Sequence, residues 1–118
     1  MKYHVIDGKD HMCIKLSGNT RDNEALLVKR VLFPYLKKRG ILVIVDLRGL
    51  RQVEPNILIG VLSGIRKEVD LLNGELKLCA LSPQVDLFFE QNQLHRIFHV
   101  HKDEKTVIEN RGIHNFGE

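Results

Sequence analysis

Five consecutive apolar residues, Ile41-Leu42-Val43-Ile44-Val45, close on Asp46. A strand with no polar face must be covered from both sides, the position of a central strand in a largely parallel sheet. A short link, Leu47 to Val53, follows, and Glu54-Pro55-Asn56 opens a long amphipathic segment. Leu58, Val61, Leu62, Ile65, Val69 and Leu72 recur at helical spacing along one stripe of it. Pro55 suits a first helical turn, where a missing N–H costs nothing. In open α/β sheets the turn between such a strand and its helix is the usual place for a working surface.

The flanking segments agree with that centre. Tyr3 and Val5 alternate with His4 and Ile6, Asp7-Gly8-Lys9-Asp10 carries turn chemistry, and Met12, Ile14 and Leu16 alternate with Cys13 and Lys15. These predict an antiparallel N-terminal hairpin. Gly18-Asn19-Thr20 breaks the pattern, and Thr20 or Asp22 is the expected N-cap of a helix whose Ala25, Val28, Leu32 and Leu36 face the sheet. Pro34 predicts either a kink or a break with a tight final turn, and Gly40 a left-handed end.

Downstream, Asn73-Gly74 stops the long helix, and Leu76, Leu78, Cys79, Ala80 and Leu81 form a second mainly buried strand. Ser82-Pro83 starts a helix with Val85, Phe88 and Phe89 on its apolar face. Ile97 to Val100 is a short strand at a sheet edge, and Asp103 caps a last helix through Val107 and Ile108 that Gly112 stops. Residues 113–118 lack periodicity and are expected to be a loose tail. The order β-β-α-β-α-β-α-β-α predicts an α/β fold. Its sheet is mixed and mostly parallel, with an antiparallel N-terminal strand pair, in a single domain over 1–118.

Composition narrows the function. The 118 residues suffice for one core, and 43% apolar with 28% charged residues is the balance of a soluble protein. Apolar runs are too short to span a bilayer and no leader opens the chain, so a cytoplasmic location without membrane insertion is expected. A net charge of +3, one cationic cluster (Lys37-Lys38-Arg39) and 6% aromatics argue against a nucleic-acid partner. Cys13 and Cys79 lack metal-ligand spacing and are expected to be reduced core residues.

The chain resembles the STAS domain family of anti-sigma factor antagonists and sulfate-transporter tails. Val45-Asp46-Leu47-Arg48-Gly49-Leu50 is similar to the family's strand end. The run Gly74 to Val85, ending Leu81-Ser82-Pro83-Gln84-Val85, and Leu94-His95-Arg96-Ile97-Phe98 resemble two further segments. The family's signature Asp-Ser-Ser-Gly-Leu matches Glu54-Pro55-Asn56-Ile57-Leu58 here. The resemblance implies the STAS fold and a non-enzymatic role in protein binding. Its partner would be an anti-sigma factor, a kinase-like protein or an assembly subunit, and homodimerisation is left open. The phosphoacceptor position of the family is occupied by Asn56, which has no hydroxyl to modify. A second departure is Gly18-Asn19-Thr20, where many members carry an acid after the glycine.

The expected partner-binding residues are Glu54, Asn56, Ile57 and Ile59, with Asp46 supporting the loop. Asp46 and Glu54 also suggest a carboxylate pair, but no nucleophile and base accompany them, and backbone bonding by Asp46 and helix capping by Glu54 is the simpler role. His95, His99 and His101 cluster in sequence, yet no Cys or carboxylate completes a ligand set, so neither a metal nor another cofactor is expected. Two alternatives remain: an accessory subunit of a transporter or stress-sensing assembly, and a binder of a small anion or nucleotide in a groove above the sheet.

Overall fold

The computed structural model describes residues 2–8, 11–19, 30 and 33–109. Within them, five strands form one sheet in chain order: β1 (Lys2–Asp7), β2 (His11–Gly18), β3 (Leu42–Leu50), β4 (Glu75–Cys79) and β5 (His99–His101). β1 and β2 pair antiparallel, with Tyr3 opposite Leu16 and Val5 opposite Ile14, and each later pair is parallel. Helices α1 (Pro55–Leu71) and α2 (Pro83–Gln91) link β3 to β4 and β4 to β5, and residues 104–109 form α3. This is the mixed, mostly parallel sheet that the sequence order predicts.

β3 is the middle strand, and Leu42 through Val45 are buried. Alternation sends Val43, Val45 and Leu47 into the core beneath α1 and α2, and Leu42 and Ile44 into a smaller cluster beneath α3. The first layer is thick. Leu58, Val61, Leu62, Ile65 and Val69 of α1 join Val85 and Phe89 of α2 in it. Each such side chain contributes about 1.5–3 kcal/mol by leaving water. Among the described residues the second layer is smaller, with Val107 of α3 packed on Cys13, Leu42, Ile44 and Cys79. Burial, reinforced by the nearby carboxylates of Glu104 and Asp46, pushes both thiols up to about 12.

Several boundaries differ from those expected. β3 does not end at Asp46 but runs to Leu50, so the link Leu47 to Val53 shrinks to four residues, 51–54. Leu47 and Leu50 find buried places, and Ser17 and Gly18 of β2 continue the ladder past an irregularity between Lys15 and Ser17. Gly49 makes this possible, since a Cβ there would lie 2.8 Å from that of Ser17. β4 stops at Cys79 rather than Leu81 because Ala80 turns into the left-handed region at φ 59°. Ile97 and Phe98 are not strand residues. A 3₁₀ turn at Leu94–Arg96 leads into them, and both their N–H groups donate to the Leu94 carbonyl, at 3.0 and 2.9 Å. Phe98 drops into the core, its ring 6.2 Å from that of Phe89, and β5 begins only at His99.

The expected N-caps Thr20 and Asp22, the apolar positions Ala25, Val28 and Leu32, the stop at Gly112 and the tail 113–118 lie outside the described residues. What is described near Pro34 is a tight 3₁₀ turn, Phe33–Tyr35, followed by buried Leu36. Gly40 adopts the left-handed φ expected of it, 76°, and its N–H reaches the Leu72 carbonyl at 2.7 Å. α1 ends as the sequence indicates. Asn73 takes φ 53°, and the Gly74 N–H returns to the Val69 carbonyl at 2.9 Å.

Two outcomes follow from this packing. A Cβ at Gly74 would run into the Ile41 carbonyl and Val69, so Gly74→Ala should cost about 1–3 kcal/mol, read as a lower urea midpoint. An unchanged midpoint would show that the β3–β4 approach is looser than described. The Cys13 and Cys79 thiols should resist a thiol reagent at about pH 8 until the protein unfolds. The unfolded chain ionises near the ordinary thiol value of 9.0 while the folded chain holds its protons to about 12, so stability should decline as pH climbs through that window.

Candidate functional site

The loop 51–54 carries the chain from the end of β3 to the start of α1, and it is fastened to the end of β2. The Arg51 N–H donates to the Gly18 carbonyl at 2.9 Å, and the Gln52 N–H to Asn19 Oδ1 at 3.3 Å. Asn19 thus anchors the loop through its side-chain oxygen. Glu54 is the N-cap of α1. Its backbone is extended, its Oε2 accepts the Ile57 N–H at 3.0 Å, and its carbonyl accepts the Leu58 N–H at 3.1 Å. Pro55 takes the first helical position. The carboxylate also lies at the positive end of the helix dipole, where it is favoured.

Asn56 is exposed on that first turn, while Ile57 and Ile59 are half-buried and pack against the main core together with Val53. Four of the five expected residues, Glu54, Asn56, Ile57 and Ile59, are therefore brought together at the start of α1. Asp46 is not. It lies inside β3, on the same side as Leu42 and Ile44 and so on the α3 side of the sheet. Its Oδ1 accepts the Arg48 N–H at 2.8 Å, a bond within the strand rather than in the loop. The two carboxylates consequently do not form a pair across the loop, and each is occupied with backbone N–H groups.

Sequence reasoning missed a contribution from α2. Leu87 is 54% exposed, and with Gln84 and Phe88 it faces Val53 and Pro55 across a cleft of about 200 Å³. The signal was present: Leu87 is an apolar residue out of phase with the Val85–Phe89 stripe. The histidines divide. His95 Nε2 lies 3.3 Å from Asp86 Oδ1, and its ring meets Phe89 edge-on at 5.7 Å, whereas His99 Nδ1 faces Lys77 Nζ at 3.0 Å. Among the described residues, no three His, Cys, Asp or Glu side chains converge as metal ligands. None of the described helices is long and apolar enough to cross a membrane.

The cap is a measurable part of the site. Glu54→Ala should lower stability by about 1 kcal/mol, while Glu54→Asn, a good N-cap, should recover most of that loss. Equal melting of all three proteins would show that the Glu54 carboxylate does not hold the helix start.

Residues 4–107 match the STAS domain family. Similar solved structures include the anti-sigma factor antagonist SpoIIAA in its unphosphorylated form. It is 16% identical, with 94% of this chain and 97% of that chain covered and a TM-score of 0.74. RsbS of Moorella thermoacetica, solved as a serine-to-glutamate variant, is 16% identical over 93% of this chain and 94% of that one, with a TM-score of 0.73. The Bacillus cell fate determinant SpoIIAA in its phosphorylated form is 14% identical over 92% and 98%, with a TM-score of 0.63. At these identities the likeness is one of fold. The family match spans the described elements from within β1 into α3, and the chain belongs to the STAS domain family.

Proposed function

We propose that this chain is a non-enzymatic docking module of the anti-sigma factor antagonist kind, whose surface at position 56 is not switched by phosphorylation. The observation that supports this most directly is the exposure of Asn56 on the first turn of α1. It sits where the family's signature has its second serine, and an amide offers no hydroxyl to a kinase. A phosphate there would add about 1.5–2 negative charges to the helix start. Asparagine is neutral, so the surface corresponds to the unmodified state. Among the similar structures, SpoIIAA occurs in unphosphorylated and phosphorylated forms, and RsbS was solved with a glutamate in place of a serine.

The docking surface comprises Glu54, Asn56, Ile57 and Ile59 of the loop and α1, extended by Leu87 of α2. Asn56 supplies polar recognition, and the half-exposed parts of Ile57 and Ile59 supply apolar area where the signature has glycine or an unassigned residue. Asp46 contributes through the conformation of β3 and not through contact. The partner is an anti-sigma factor, a kinase-like protein or a subunit of a larger assembly, recognised in solution without a cofactor.

Tagged protein recovered from its source cells should retain a partner of one of those three kinds, identified by mass spectrometry. Asn56→Asp and Asn56→Arg should reduce its recovery several-fold. Ile59→Arg should do the same, with a circular-dichroism melt confirming that the variant is folded. Equal recovery in all three variants would overturn the assignment of this surface. The mass of the native complex separates a transient one-to-one partner from a stable assembly.

A further inference from the structure

A cleft that does not include Asn56 lies beside the C-terminal end of α1 and the starts of β4 and β5. Its volume is about 750 Å³, and Lys77, His99, His101 and Arg96 line it. Volumes of roughly 300–1,000 Å³ are those of small-molecule sites. Nothing in the docking reading uses this cleft.

The sheet register explains how these side chains meet. Lys77 of β4 pairs with His99 of β5, and Cys79 with His101. Residues two apart share a face, so Lys77, His99 and His101 all project on the side of the sheet where Cys79 meets Val107 of α3. Leu42 and Val107 form the apolar floor and wall beneath them.

Hydrogen-bond chemistry then fixes what the cluster can offer. Lys77 Nζ lies 3.0 Å from His99 Nδ1. An ammonium has donors only, so His99 accepts at Nδ1 and carries its proton on Nε2. The pair presents the remaining ammonium protons and an imidazole N–H, all donors. His101 adds a half-buried imidazole held toward the neutral form by burial and then by Lys77 and His99. Such a set wants an anion.

The acids of the cleft do not cancel this. Arg66 Nε lies 3.8 Å from Asp70 Oδ2, and its Nη1 donates to the Ile97 carbonyl at 2.6 Å, so these two form a wall that neutralises itself. The Arg66 guanidinium also lies 5.7 Å from the centre of the Phe98 ring. Glu75 is the remaining carboxylate, two residues before Lys77 on the same face, and Lys77 and Arg96 outnumber it. Ile97, 49% exposed, supplies an apolar rim for the body of a ligand.

We infer that this cleft binds a small organic anion, with its phosphate or carboxylate head group on Lys77 and His99 and its apolar body against Ile97. The ligand is held by charge-assisted hydrogen bonds from two neighbouring strands, and no covalent step is involved.

Phenyl phosphate, benzoate, inorganic phosphate and neutral phenol, titrated against the full chain and followed by the histidine ring signals in NMR, test this. Phenyl phosphate or benzoate should shift the His99 and His101 signals saturably, inorganic phosphate more weakly, and phenol not at all. The two organic anions compared with each other distinguish the head group. Lys77→Gln should weaken binding by about tenfold, roughly the loss of one charge-assisted hydrogen bond. His99→Gln serves as a second variant on the same exposed edge. No saturable shift with either organic anion, or an affinity unchanged from the wild type in both variants, would overturn the proposal.

Discussion

The burial of β3 on both faces is the constraint from which the architecture follows. A strand whose side chains are apolar in both directions must have a layer above and a layer below, and neighbours on both edges for its backbone groups. β2 and β4 supply the edges. The two layers are unequal. Among the described residues, α1 and α2 pack on the larger cluster on one side, while on the other α3 packs on the smaller cluster around Cys13, Ile44 and Cys79. That inequality decides where polar side chains can gather on the sheet itself. On the side of the larger cluster none is described in the core, and on the side of the smaller one Lys77, His99 and His101 share the sheet face with the buried cysteines.

Features set by a few adjacent residues were legible in the sequence. Glu54 and Pro55 announce the start of α1, Ser82 and Pro83 that of α2, and Asp103 caps α3 with its carboxylate accepting the Thr106 N–H at 2.8 Å. Those two hydrogen bonds from Thr106, backbone and hydroxyl, also hold the Asp103 carboxyl below its ordinary range. Asn73 and Gly74 end α1 for equally local reasons. Features set by distant partners were not legible. Asp46 looked like a strand end because the apolar run stops there, yet the ladder continues with Ser17 opposite Gly49 and Gly18 opposite Leu50, partners that no local rule points to. Phe98 looked like a strand residue, but the space beside Phe89 draws it inward and converts its approach into a turn.

The same distinction separates the members of the candidate site. Glu54, Asn56, Ile57 and Ile59 are close in space because they are close in sequence on one helical turn. Asp46 would be close to them in space only if the strand ended early. Once β3 runs to Leu50, the pleat assigns Asp46 to the opposite side of the sheet from α1, and a two-carboxylate mechanism loses its geometry. Leu87 shows the converse. It is remote in sequence, and only the folded chain brings it to the same cleft as Val53 and Pro55.

A fixed residue at position 56 shifts the question of control to the rest of the molecule. α1 is a rod of 17 residues, about 25 Å long at 1.5 Å per residue. Its first turn carries Asn56, and Asp70 near its other end lines the cationic cleft. Transmission along it would require an element with two arrangements that both ends can bias. Five buried side chains, a carboxylate cap at the start and the Asn73–Gly74 turn at the end oppose any second arrangement of this helix. α1 is therefore a spacer between two surfaces and not a lever between them.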